Sequence, residues 1–290
     1  MLKLSKKCVN VGAQAAIFTV FLMILIWITS KNLFEEYVYT VTLATTTPEP
    51  VKLINPSKIS FNNHTEKLII VVTPTYRRLT RIPDITRMAN TLSHITNFHW
   101  IVIEDGTTVI PSVLKILEKS NINFTYLAHK SPKNSPNRGW FQRNKALKFL
   151  RKQYRTSGIL ERGGANGVVY FGDDDNTYDL RLFTDYIRNV KRIGMWGVGF
   201  VSGSLVESPR VFNGKVIGFD AEWNPNRYFA IDKAGFALGI QLILNSNVEF
   251  RSFCPWGSGK PESCLLEDLR LKREDVEPFG LENEVRFLIF

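Results

Sequence analysis

The residues with the plainest chemistry are Asp173-Asp174-Asp175, followed by Asn176 and placed directly after the apolar run Gly167-Val168-Val169-Tyr170-Phe171. Three adjacent carboxylates repel one another unless a cation neutralises them. Hard divalent ions take oxygen ligands, and Mg²⁺ and Mn²⁺ commonly bridge protein carboxylates to substrate phosphates. A metal at Asp173, Asp174 or Asp175 therefore implies a diphosphate ligand. A solvated acidic turn, or an N-cap for the stretch from Asp179 onward, is the plain alternative. The position at the end of a buried strand favours the metal.

A diphosphate site needs cations as well. Arg138 and Arg143 flank the start of a basic stretch that continues through Lys145, Lys148, Arg151 and Lys152. Five residues overshoot a helical turn by about 140°, so Arg138 and Arg143 do not share a helix face. Arg138 is expected in the preceding loop, after Pro136-Asn137, from where both can converge. Lys148, Arg151 and Lys152 are expected on a solvated face. Arg77, Arg78 and Arg81 form a further cluster with no assignment.

These residues need a frame. Leu68-Ile69-Ile70-Val71-Val72-Thr73 is a continuous apolar run that Pro74 is expected to stop. Such runs suit strands buried on both faces. A helix is expected from near Pro83, then a strand His99–Ile103 ending in Glu104-Asp105-Gly106, and a helix from Pro111 through Glu118. A short strand Phe124–Leu127, a helix Trp140–Tyr154 with Leu147 and Leu150 buried, and the strand Gly167–Phe171 complete the alternation. It implies an α/β sheet with mainly parallel strands, whose ligands sit beyond the strands' carboxyl ends. Thr73-Pro74-Thr75-Tyr76, Asp105 and the triple aspartate all fall there. In the second half Asn213-Gly214 marks a hairpin, and Trp196–Val201 is expected to be one strand.

The 290 residues carry 37 Lys+Arg against 27 Asp+Glu, a net charge of +10, with 44% apolar residues. That excludes a disordered chain and leaves room for a sizeable core. No residue from Cys8 to Ser30 is charged, and Lys3, Lys6 and Lys7 precede that run. About 20 apolar residues suffice to span a bilayer. We therefore expect a cytosolic tail (1–7), a transmembrane signal-anchor (8–30) and a stem (31–65), with the remainder lumenal. A cleaved signal peptide is the rival, but its apolar stretch is shorter and closes on a small-x-small site. Asn63-His64-Thr65 and Asn123-Phe124-Thr125 are glycosylation sequons, which agree with that topology. A lumenal domain excludes nucleic acid as the partner of the positive charge. Cys254 and Cys264 either pair or remain free thiols.

The chain resembles the β-1,3-glucuronosyltransferase family of Golgi type II membrane enzymes. The resemblance is carried by Ile70-Val71-Val72-Thr73-Pro74-Thr75-Tyr76, Gln142-Arg143-Asn144-Lys145-Ala146-Leu147, and Val168 through Tyr178. It continues in Gly218-Phe219, Trp223, Asp232-Lys233-Ala234-Gly235-Phe236-Ala237 and Glu262-Ser263-Cys264-Leu265-Leu266. It implies a GT-A fold, with a Rossmann-like UDP-sugar-binding half (66–176) and a mixed-sheet acceptor half (177–290). It also implies UDP-glucuronate as donor, Mn²⁺ as cofactor, a galactose-terminated glycan as acceptor, the Golgi membrane as location and a homodimer as one expected assembly.

Roles follow from the resemblance position by position. Pro74, Thr75, Tyr76 and Asp105 resemble the uridine-binding set, and Arg138 and Arg143 the diphosphate contacts. Asp175 resembles the metal ligand, with Asp173 and Asp174 touching ribose or shaping the site. Arg227 and Asp232 resemble contacts to donor sugar or acceptor, Glu207 and Trp223 acceptor contacts, and Glu262 the catalytic base. Residue types alone give Glu262 and Asp232 no such weight. The family's strand matching Val285–Phe290 runs on to a diphosphate-contacting histidine, and this sequence ends at Phe290. That departure motivates a second expectation, a catalytically silent paralogue or partner subunit that binds UDP or glycan. A third is the same fold with another donor sugar.

Overall fold

The apolar runs fold as strands buried on both faces. In the computed structural model, β1 (Leu68–Thr75), α1 (Arg81–Leu92), β2 (Phe98–Glu104), α2 (Pro111–Lys119), β3 (Phe124–Ala128), α3 (Trp140–Thr156) and β4 (Gly167–Phe171) alternate along the first half. The second half adds β5 (Ile193–Met195), β6 (Val198–Val201), β7 (Ser204–Phe212), β8 (Lys215–Asp220), β9 (Phe236–Gly239), α4 (Ile240–Leu244), α5 (Pro261–Asp268) and β10 (Val276–Pro278). The structure describes residues 66–135, 139–156, 166–201, 203–255, 260–280 and 288–289, together with Met23. The expected tail (1–7), anchor (8–30, Met23 apart) and stem (31–65) lie outside the described residues, as do Asn63 and Arg138. No helix among the described residues is long and apolar enough to cross a membrane.

Seven strands form one sheet in the order β10-β5-β9-β4-β1-β2-β3, and β6-β7-β8 form a second. All neighbours in the large sheet are parallel except β9, which is antiparallel to both β4 and β5. Alternation across β1 splits the core. Leu68, Ile70 and Val72 pack with Ala146, Leu147 and Leu150 of α3 on one face. Ile69 and Val71 pack with Ile85, Met88 and Leu92 of α1 on the other. This double burial is why the run contains no polar residue before Thr73.

The structure departs from expectation at three places. Pro74 does not stop β1, which continues through Thr75. Thr75 faces β2, where its carbonyl accepts from Asp105 N at 2.7 Å. Pro74 therefore faces β4, whose pairing has already ended at Val72 and Phe171, so its missing N–H costs no ladder bond. Trp196–Val201 is not one strand. The Trp196 backbone N–H is bonded to Gly235 O and its indole to Ala234 O, both at 3.0 Å. The chain leaves the large sheet there and re-forms as β6 in the second. Arg151 is not solvated but buried, donating to the carbonyls of Ile243 (3.0 Å) and Val248 (2.6 Å). It fastens α3 to α4 and to the segment after it, while Lys148 and Lys152 are exposed as expected.

The Asn213-Gly214 hairpin forms between β7 and β8, with φ of 48° and 72°. Both angles are positive, as a two-residue hairpin turn of this hand demands. Cys254 and Cys264 are disulfide-bonded, with Cα atoms 5.4 Å apart. Asn123 is exposed, whereas Thr125 of the same sequon is buried and shares a 2.9 Å hydrogen bond with His99 Nε2.

Candidate active site

The strand order reverses between β1 and β4: β2 and β3 extend to one side of β1, β4 and β9 to the other. Parallel sheets open a crevice at such a point, beyond the carboxyl ends of the strands. Here Pro74 and Thr75 end β1, Tyr76 follows it, and Asp173-Asp174-Asp175 follow β4. They line a cleft of ≈ 390 Å³ with residues of α3 and α5. That is within the range of small-ligand sites.

The triplet does not behave as three equivalent acids. Asp173 is paired with Arg143 through one oxygen and with Lys233 through the other, the latter at 3.0 Å. Burial raises its proton affinity, but Arg143 and Lys233 outweigh burial and hold its carboxyl below the usual range. Asp174 is buried. It accepts Thr75 Oγ1 at 2.7 Å and pairs with Arg78, which also reaches Asp84 of α1 at 2.8 Å. Burial nevertheless leaves its proton affinity raised. Asp175 is exposed to the cleft and its carboxylate has no partner among the described residues, while its backbone carbonyl is held by Arg87 at 3.0 Å. The repulsion expected from three adjacent acids is thus relieved mostly by protein cations.

The arginine of α3 is fixed before any ligand arrives. Arg143 is buried, and its guanidinium lies 5.8 Å from the Phe250 ring centre. Gly139, at φ +70°, precedes the helix, and a Cβ there would lie 2.8 Å from Pro74 Cγ and 2.8 Å from an Arg143 nitrogen. Only glycine lets β1's exit and Arg143 come this close. Asp105 is held by Ser131, whose N and Oγ each donate at 2.8 Å. Gln142 donates to the same Ser131 Oγ at 3.1 Å.

Glu262 enters from the far side. Pro261 opens α5, and Glu262 in its first turn is 6% exposed and lines the cleft. Burial, then Asp232, raise its proton affinity. The Cys254–Cys264 disulfide ties α5 to the segment carrying Phe250. Asp232 lines the cleft as well, and its Oδ1 caps the turn Lys233–Gly235 by accepting Ala234 N at 2.9 Å.

Beside Glu262 a second cluster forms around Arg227. Glu207 is 1% exposed, lies 3.8 Å from Arg227, and its Oε1 has no hydrogen bond among the described residues. Burial is the main cause of a carboxyl pushed up to about 7. Trp223 is flanked by Arg227 at 4.9 Å and Lys260 at 4.5 Å. Arg227 joins the half-exposed Trp223 ring to a buried carboxylate with an open acceptor atom, a set that suits a sugar: the ring covers part of its C–H surface and the acid accepts a hydroxyl hydrogen bond.

Among the described residues, the cleft lining carries six carboxylates (Asp105, Asp173, Asp174, Asp175, Asp232, Glu262) against three cations (Arg143, Lys233, Lys260). That excess repels a diphosphate unless a cation accompanies it. Among the described residues no three side chains are grouped to hold a metal by themselves. Within the triplet, Asp175 is the acid whose carboxylate has no partner among the described residues. Mg²⁺-type ions are commonly held by one or two carboxylates plus substrate phosphates, so the residues present fit a divalent ion that arrives with a diphosphate.

The family model described as Glycosyltransferase family 43 matches residues 88–288. The chain belongs to glycosyltransferase family 43. It is 43% identical over 230 residues to galactosylgalactosylxylosylprotein 3-beta-glucuronosyltransferase sqv-8 of Caenorhabditis elegans, covering 75% of this chain and 62% of that protein. It is 41% identical over 221 residues to galactosylgalactosylxylosylprotein 3-beta-glucuronosyltransferase 1 of Rattus norvegicus, covering 72% and 64%. The matches thus span less than two thirds of these relatives' length. Among solved structures, Staphylococcus aureus TarS 1-349 aligns with a TM-score of 0.48 at 16% identity, covering 74% of this chain and 58% of that one.

In this family 43 chain, Pro74, Thr75, Tyr76, Asp105, Arg143, Asp173, Asp174, Asp175, Asp232 and Glu262 all line one cleft. Glu207, Trp223 and Arg227 form the adjoining cluster. Sequence reasoning left Arg78 unassigned and gave Lys233 and Lys260 no role. Arg78 carried a signal, its place in a basic cluster just after β1. Lys233 and Lys260 carried none, because each is an isolated lysine whose partner is remote in the chain.

Proposed function

We propose that the chain is an inverting glycosyltransferase that moves glucuronate from UDP-glucuronate to a terminal galactose of a proteoglycan-linker or glycoprotein glycan, forming a β-1,3 bond. The observation that carries this reading is Glu262: a buried, proton-avid carboxylate facing the same cleft as the triplet after β4. The names of the relatives support the donor sugar and acceptor class.

Asp105, oriented by Ser131 through both carboxylate oxygens, accepts the uracil N–H on a remaining lone pair, and Tyr76 stacks on the base. Arg143 faces the diphosphate. Asp175 would hold Mn²⁺, which when bound supplies positive charge to the leaving phosphate. Glu262 takes the proton from the acceptor hydroxyl as that oxygen bonds to the anomeric carbon. The glycosyl–oxygen bond breaks on the opposite face, and its electron pair leaves on UDP. One carboxylate suffices because the leaving group is already activated. Trp223 and Glu207 position the acceptor sugar, and Arg227 keeps Glu207 in place.

The disulfide and the uncharged amino-terminal run favour a Golgi membrane protein with its catalytic part in the lumen. The test is incubation of the full chain with UDP-glucuronate, Mn²⁺ and galactose-terminated acceptors. A β-1,3-glucuronosylated product is expected. A folded chain that binds UDP yet forms no product overturns the transferase reading.

A further inference from the structure

We propose that Lys233 is a second diphosphate contact, one that meets the leaving phosphate from the side opposite Arg143. The inference rests on the nucleotide-sugar reading above and adds a binding residue to it.

Lys233 sits in the turn just before β9, the strand paired to β4. Arg143 approaches from α3 on the other side, and the two cations take opposite oxygens of Asp173. Asp173 needs only one of them for neutrality. Arg143, Lys233 and Asp173 by themselves carry a charge of +1, set against the neighbouring carboxylates Asp175, Asp232 and Glu262 of the same cleft. The Lys233 side chain is 27% exposed and lines the cleft. Among the described residues its one ion-pair partner is Asp173, and an ammonium has three donors.

Its place along the cleft decides what the remaining donors meet. Lys233 lies beside the triplet, which faces the nucleotide, and its charge also acts on Asp232 and Glu262, on the side of the base. The bond that breaks must lie between those two sides. The electron pair released there goes to the terminal phosphate of UDP, within the field of a fixed ammonium. The competing role for Lys233 is to neutralise Asp173 alone, but Arg143 already does so.

Isothermal titration of the full chain with UDP and with uridine, in Mn²⁺ and in chelator, separates the two. Lys233→Met is expected to weaken UDP binding by at least about tenfold, the loss of one charge-assisted hydrogen bond, in both conditions. Uridine binding should change less than about twofold, and Lys233→Arg should restore most of the UDP affinity. Lys233→Gln retains a donor for Asp173 without the charge, so it decides the matter if Lys233→Met does not fold. Wild-type UDP affinity in Lys233→Gln overturns the proposal, as does an equal loss of uridine and UDP. A wild-type chain that binds neither ligand overturns the nucleotide-sugar reading itself, a result distinct from a variant-specific null.

Discussion

Thr75 Oγ1 donates to Asp174 at 2.7 Å, joining the last residue of β1 to the acid that follows β4. The two strands have already parted at Val72 and Phe171, so this bond closes the mouth of the gap between them. Arg78 completes the closure by bridging Asp174 to Asp84 on α1.

Arg78→Met is therefore expected to destabilise the domain by about 1.5–3 kcal/mol, the range for hydrogen bonds to charged groups, because buried Asp174 loses its cation, while Asp84 keeps Arg87 at 3.2 Å. Urea unfolding of the full chain reads this directly. An unchanged midpoint would show that Thr75 and Arg87 hold the triplet without Arg78.

Asp175→Asn should leave stability within about 0.5 kcal/mol, since the carboxylate is exposed and unpaired. The same substitution should abolish the Mn²⁺-dependent part of UDP binding. Retained metal dependence would move the metal site away from Asp175.

Glu262→Gln should abolish transfer while UDP affinity stays within about twofold. In the wild type, burial and Asp232 raise the Glu262 proton affinity. The base is lost as pH falls, so the acidic limb of kcat/KM should lie above the ordinary glutamate range. Asp232→Asn removes a neighbouring negative charge, and the limb should move to lower pH. A shift in the opposite direction would mean that another group sets the limb.

Glu207 makes a stability prediction with a definite sign. Its carboxyl is pushed up from 4.5 to about 7. The folded chain therefore binds more protons than the unfolded one between those values, and stability falls as pH rises through that window. Glu207→Gln removes this contribution while keeping the shape. The difference in unfolding free energy, variant minus wild type, should grow from about pH 4.5 to about pH 7 and then level off. A flat difference would refute the burial argument.

The frame of the site could be read from local pattern. Continuous apolar runs at β1 and β4 marked strands buried on both faces, Asn213-Gly214 marked a hairpin, and acids after apolar runs marked the strand ends that line the cleft. Each of these signals lies within a few residues, because side-chain periodicity and turn conformation are local properties of the backbone. The weight given to Glu262 came from resemblance, since a glutamate near a helix start has no local signature of a base.

Only the tertiary structure decided which acids keep their charge free. Asp173 is matched by Arg143 and Lys233, and Asp174 by Arg78, whereas Asp175 is left open. It also decided that Arg151 is buried, that Trp196 turns the chain out of the large sheet, and that Cys254 meets Cys264. The physical reason is common to all of these. Burial and Coulomb pairing depend on distance in space, and the order β10-β5-β9-β4-β1-β2-β3 sets that distance, bringing β9 and its preceding lysine beside β4 across a long stretch of intervening chain.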